Sequence, residues 1–224
     1  MGRIESYKPR GRDRLSKVRN PLVIIACEGR NKTEEIYFKN YNSKKCIIRF
    51  AKGNRTDPVG IVKDLIKFIE NEVGKEEHDK YYAVFDTDVN KNLQSQIDEA
   101  KKLAKKNEIE IITSTPTFEF WYLLHFGHTT KSYSSSEEVV QKLKTKIAGY
   151  TKNMNTYPIL EAKTNDAIKN AKKVKKHHDD LGQVIDNEKC NPYTGVYRVV
   201  EELIERNKWY IGNFRFDICK AMTF

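Results

Sequence analysis

Short apolar runs that end on acids alternate with helix-spaced segments through the first half of the chain. Residues 22–27 (LVIIAC) form one such run, which stops at Glu28-Gly29. Residues 81–85 (YYAVF) form another, which stops at Asp86-Thr87-Asp88. Residues 46–51 (CIIRFA) and 110–113 complete a set of four predicted strands. Between them lie helical signals. Thr33 is a suitable N-cap, with Glu34 and Glu35 in the first turn, where they complement the helix dipole. That helix carries Ile36, Tyr37 and Phe38. Asp57-Pro58 opens a second helix, cap then proline, with Val62, Leu65, Ile66, Ile69 and Val73 on one face. A lysine-rich helix over 92–106 has a thin stripe of Ile97, Ala100, Leu103 and Ala104. Strands alternating with helices imply a parallel sheet built of crossovers.

After Ser114 the pattern changes. Residues 117–126 (TFEFWYLLHF) are apolar nearly all round, as in a buried helix. Ser135 and Glu138 fit a capping box ahead of Val139, Val140, Leu143 and Ile147. Residues 149–160 read as a loop and 163–178 as a basic helix. Thr194 caps a helix with Val196, Val199, Val200, Leu203 and Ile204 on one face. Residues 213–224 fit either a strand or a docked tail. The expected organisation is a basic arm over 1–20, an α/β core over 21–115 and a helical part over 116–224 packed on that core.

Composition adds the partner. Lys plus Arg number 41 against 31 Asp plus Glu, a net charge of +10. The arm alone holds Arg3, Lys8, Arg10, Arg12, Arg14, Lys17 and Arg19. Such an excess favours a polyanion, either nucleic acid or an anionic surface. No apolar run reaches membrane-spanning length and no signal-peptide core is present. The four cysteines, Cys27, Cys46, Cys190 and Cys219, include no C-x-x-C pair, which speaks against a zinc ribbon. Cys27 and Cys46 read as buried free thiols. A cytoplasmic protein with no membrane partner is expected.

The acids carry the chemistry. In open α/β sheets ligands bind outside the carboxyl ends of the strands, and Glu28, Asp86 and Asp88 all fall there. Asp86 and Asp88, two residues apart on an extended strand, point the same way and repel unless a cation lies between them. Oxygen ligands suit a hard ion, and Mg²⁺ uses one or two carboxylates plus phosphate and water. With the basic charge, this suggests metal-dependent phosphodiester chemistry. Glu119, an acid in a very apolar helix start, needs a partner or a metal; stabilisation of the helix N-terminus is the other reading. His125 reads as a packed histidine, and His177-His178 as a solvated helix end. The aromatics Tyr37, Phe38, Phe118, Phe120, Trp121 and Tyr122 read as core. No P-loop and no G-x-G-x-x-G occurs, so the chain is not its own nucleotide-driven motor.

Four segments, CEGRNKTEEIYF (27–38), YYAVFDTDVN (81–90), STPTFEFWYLLHF (114–126) and NPYTGVYRVVEEL (191–203), resemble in order the motifs of the RloB-like family of prokaryotic restriction and phage-defence loci. That family is similar to Toprim domains, so the resemblance implies a mostly parallel four-stranded Toprim-like sheet flanked by helices. It implies Mg²⁺ or Mn²⁺ held by Glu28, Asp86 and Asp88, with Glu119 as a further catalytic acid. Glu34 also matches the first motif, and a second ion would sit near Glu119 or Glu34. Where that family has asparagine before the proline of the third motif, this chain has Thr115. Lys32 and Lys163 are candidate charge-offsetting lysines by position only. The implied function is a nuclease effector acting on DNA or RNA, tRNA included, beside a separate ABC- or AAA-type ATPase from the same locus. A homodimer is compatible with this. The alternative is a regulatory or nucleic-acid-binding subunit with a degenerate site. A strand-passing or primase role fits less well, because the chain lacks a tyrosine-bearing cleavage domain and a zinc module.

Overall fold

The computed structural model describes residues 20–28, 33–87, 93–187 and 189–221, with side chains through Lys208. Five strands form one sheet in the order β2-β1-β3-β4-β5. β1 (Leu22–Cys27), β2 (Ile47–Phe50), β3 (Lys80–Asp86) and β4 (Ile109–Thr115) are parallel, and β5 (Tyr193–Thr194) is antiparallel to β4. The four expected strands are present. β5 was not foreseen, because two residues carry no alternation. It is fixed by Ser114↔Thr194 pairing and by the Gly195 N–H donating to Thr113 O at 2.8 Å.

Parallel strands with both faces covered need apolar residues on both sides, and the period of two sorts them. Val23, Ile25, Tyr82, Val84 and Ile112 face one core; Leu22, Ile24, Ala26, Tyr81, Ala83 and Phe85 face the other. The second face is covered by α2 (Pro58–Phe68), a π-helical turn over Ile69–Val73, and α3 (Gln94–Lys106). The first face is covered by α1 (Thr33–Lys39) and by most of the helical half: α4 (Glu119–Leu124), α5 (Ser136–Lys144), α7 (Thr164–Asp180) and α8 (Val196–Ala221). Within α4 all six residues are buried, and Trp121, Tyr122, Phe120 and Phe118 pack with Tyr37 and Phe38 in that core. Among the described residues no helix is long and apolar enough to cross a membrane.

Several local expectations are refined. Asp57 caps α2 as expected, accepting from the Gly60 N–H at 2.6 Å. Ser135 accepts from the Glu138 N–H at 3.3 Å, but the Glu138 carboxylate turns to the Ser134 N–H at 2.7 Å, so the reciprocal half of the box shifts by one residue. Thr33 is the first residue of α1 rather than its cap, and its hydroxyl donates to Lys152 O at 2.7 Å. A short helix, α6 (Tyr157–Leu160), interrupts the segment expected to be a loop. His178 is buried, with Nε2 2.8 Å from Pro192 O and Nδ1 beside Gln183 Oε1, so it is a packing residue and not a solvated helix end. The helix beginning at Val196 runs to Ala221 and displaces both readings of residues 213–224, of which 222–224 lie outside the described residues. Cys27, Cys46 and Cys190 are free thiols, and Cys219 lies outside the described side chains.

An ion pair ties the helical half to β4. Arg198 Nη2 bridges Asp186 Oδ1 and Oδ2 at 2.9 and 2.8 Å and donates to Ile111 O at 3.0 Å; Asp186 also accepts from Thr113 Oγ1 at 3.0 Å. A Cβ on Gly195 would fall 2.5 Å from Arg198 Nη2, so a larger residue there would push the guanidinium from its place on Asp186. Asp186→Ala is expected to cost about 3 kcal/mol, the lower end for breaking a buried pair, because Arg198 keeps its Glu110 contact. Chemical denaturation of the variant against the parent checks this.

Candidate active site at the carboxyl edge of the sheet

The chain moves from β1 to β2 on one side, then crosses back to place β3 on the other side of β1. The strand order therefore reverses between β1 and β3. Such a switch point leaves a crevice at the carboxyl ends of the strands, where open α/β sheets bind ligands. Glu28 follows β1 and Asp86 ends β3, so both acids rim that crevice.

Four carboxylates converge here. Glu28 Oε2 accepts the Asp86 N–H at 3.0 Å, joining the two strand ends. Asp86 Oδ2 accepts the Thr117 hydroxyl at 3.0 Å, and the same hydroxyl lies in short contact with Glu119 Oε2. Glu119 Oε1 accepts the Tyr150 hydroxyl at 3.0 Å, with Lys152 Nζ 4.0 Å away. Glu34, in the first turn of α1, is 6% exposed, and Glu119 is 2% exposed. The segment holding Tyr150 and Lys152 is fastened to α1 by the Thr33 hydroxyl and by paired amides of Asn40 and Asn155 at 3.1 and 3.2 Å.

The electrostatics follow from this crowding. Burial, then the charges of Glu119 and Glu28, push the Glu34 carboxyl up to about 8, with Lys152 opposing. Burial, then Glu34, Glu119 and Glu28, hold Asp86 well above the usual carboxylate range. One Thr117 hydroxyl proton cannot satisfy two carboxylate oxygens. Its second short contact requires a proton or a cation among the acids. The donors are all oxygen, the set that suits Mg²⁺ or Mn²⁺. Among the described residues no three of His, Cys, Asp and Glu form a closed metal group. An ion here would lean on one or two carboxylates and complete its shell from phosphate and water.

Among the residues singled out in the sequence, the structure brings together Glu28, Glu34, Asp86 and Glu119. Asp88 and Lys32 lie outside the described residues. Lys163 stands elsewhere, its Nζ 4.7 Å from the centre of the Phe126 ring. Among the described residues Lys152 reaches the acids; sequence reasoning missed it together with Tyr150. Both sit in an aperiodic segment with no motif. Thr117 carried a signal, the T-x-E spacing just after a strand. His125 is buried with Nδ1 3.0 Å from Trp121 O, and burial lowers it to about 4, as a packed histidine behaves.

No curated protein and no solved structure matches the chain. The family model described as RloB-like protein matches residues 23–203, which include all four converging acids, Lys152 and the Asp186–Arg198 pair. The chain belongs to the RloB-like protein family.

Proposed function

We propose that this protein is a metal-dependent nuclease of Toprim-like fold that hydrolyses phosphodiesters of DNA or RNA in anti-phage defence. The observation that carries the reading is the convergence of Glu28, Glu34, Asp86 and Glu119 at the β1/β3 switch point, with Asp86 and Glu34 both raised by burial and by the charges of neighbouring acids. Four acids so close are unfavourable unless protons or cations offset them. Glu28, Asp86 and Asp88 would hold Mg²⁺ or Mn²⁺. The bound ion would supply Lewis-acid stabilisation of charge on a phosphoryl oxygen and a more acidic water. Glu119 and Glu34 supply the further acids for a second ion or for proton transfer.

Lys152 offers a half-exposed positive charge beside Glu119, suited to the extra charge of a transition-state phosphate. Tyr150 and Thr117 orient Glu119 and Asp86, so the carboxylates meet substrate in a fixed geometry. The basic arm at 1–20 supplies affinity for the polyanion, and a separate ATPase of the same locus supplies regulation in the cytoplasm.

The reading is tested by incubating purified protein with plasmid, single-stranded DNA and total tRNA in Mg²⁺, Mn²⁺ or EDTA, with and without the ATPase encoded beside it. Cleavage should need the metal. Lys152→Met should slow it about a hundredfold, of the order seen on removing one electrostatic donor, with little change in melting temperature, because the ammonium is 47% exposed. A second reading, a subunit that binds nucleic acid without cutting it, is favoured by one feature. Thr117, Tyr150 and the Asp86 N–H already engage oxygens of three of the acids. Metal-independent binding with no cleavage under any of these conditions would select it.

A further inference from the structure

The loop between β2 and α2 has no part in the acid cluster, yet it stands beside it. Residues 52–56 (Lys52-Gly53-Asn54-Arg55-Thr56) are all exposed. β2 pairs with β1 through Ile25↔Phe50, and the Ala51 N–H donates to Ile25 O at 2.9 Å. Continuing that register puts Lys52 and Gly53 level with Cys27 and Glu28, one strand spacing of ~4.8 Å away.

The loop is anchored. A Cβ on Gly53 would lie 2.5 Å from Asp64 Oδ2, so the Asp64 carboxylate packs against the Gly53 backbone. Asp57 is turned inward to cap α2. Asp64 and Asp57 are thus directed at backbone, while Lys52 and Arg55 are exposed and form no ion pair among the described residues. Some other cations of the fold are held in ion pairs. Lys39, Lys172, Lys175 and Lys169 each pair with an acid. The two cavities at the amino ends of the strands, each about 460 Å³, mix both signs: Lys45, His78 and Arg206 with Glu202 and Glu205 in one, Lys75 and Lys80 with Glu76 and Glu108 in the other.

We infer that Lys52 and Arg55 form a phosphate-backbone contact that leads a polynucleotide strand across the β1/β3 crevice toward Lys152, the cation beside Glu119. The span from the β2 edge to β4 is three strand spacings, roughly 14 Å. That accommodates a few nucleotides, with the reacting phosphate over the acids and its neighbours on the basic points. The inference rests on the proposed function for the site it feeds. It adds where the substrate enters and that the ligand at this point is a polyanionic backbone read without regard to sequence.

The test measures binding apart from chemistry. Fluorescent single-stranded and duplex oligonucleotides are titrated in EDTA over a range of salt, with the full chain carrying Asp86→Asn so that no probe is consumed. Adding Lys52→Gln and Arg55→Gln should weaken binding. It should also lower the slope of log affinity against log salt by between about 1.4 and 1.8, two phosphate contacts at about 0.7 each for single strands or 0.9 for duplex. Melting temperature should not move, because both side chains are exposed. A slope equal to that of the Asp86→Asn protein alone overturns the inference, whatever the variant does to cleavage. Failure of the active-site reading appears separately, as undiminished cleavage by Asp86→Asn itself.

Discussion

Asp86→Asn should abolish nucleic-acid cleavage and leave the fold as stable as the parent or more so. The amide keeps the shape and can still accept the Thr117 hydroxyl, now 3.0 Å from Asp86 Oδ2. The backbone N–H of residue 86 still donates to Glu28. What is lost is one negative charge among four. If that charge holds a cation, the cation's several kcal/mol of transition-state stabilisation goes with it, a fall of at least about a hundredfold to a thousandfold. Without metal the same substitution relieves repulsion from Glu34, Glu119 and Glu28, so the melting temperature should hold or rise. The measurement is cleavage in Mn²⁺ beside thermal melting in EDTA, with phage protection in cells as a third readout. Parental cleavage by Asp86→Asn, or parental protection, removes the nuclease reading.

The sheet was legible because its strands are buried on both faces. LVIIAC and YYAVF admit little else once an acid-glycine or an acidic triplet ends them, and their residues divide by parity between the two cores. The acids were legible for the same reason: a strand end fixes where a side chain must be. Legibility stopped where a partner is remote in sequence. Thr33 looked like a cap, but the carbonyl of Lys152, 119 residues on, takes its hydroxyl. Lys163 and Lys152 are indistinguishable by composition. Only packing of the 145–156 segment against α1 and α4 decides that Lys152 meets Glu119 while Lys163 covers Phe126. His178 looked solvated in a KKHHDD run. A helix has an inner face even when its sequence is mostly charged, and His178 falls on it with Ala171 and Val174.

Stability in the absence of metal should fall as pH rises across the physiological range, which is the reverse of the usual acidic-residue behaviour. Glu34 in the folded chain holds its proton to about 8, against an ordinary value of 4.5. The folded state therefore binds a proton that the unfolded chain releases. Below about pH 4.5 both states are protonated and nothing is lost. Between about 4.5 and 8 stability declines, by up to about 1.4 kcal/mol per pH unit for one proton. Above the folded value the penalty is complete, several kcal/mol in all. Asp86, raised in the same direction, adds to the slope. A divalent cation bound among the acids would replace the proton, so under the proposed metal site Mn²⁺ should raise the melting temperature far more at about pH 8 than at about pH 5. Glu34→Gln should flatten the pH dependence in EDTA, because the amide carries no proton to lose. Melting curves in EDTA and in Mn²⁺ across this window decide it. A parent whose EDTA melting temperature stays level from about pH 5 to 8 would show that the four acids do not crowd one another as the geometry requires. A Mn²⁺ effect equal at both pH values would show that metal and proton do not compete for the same carboxylates.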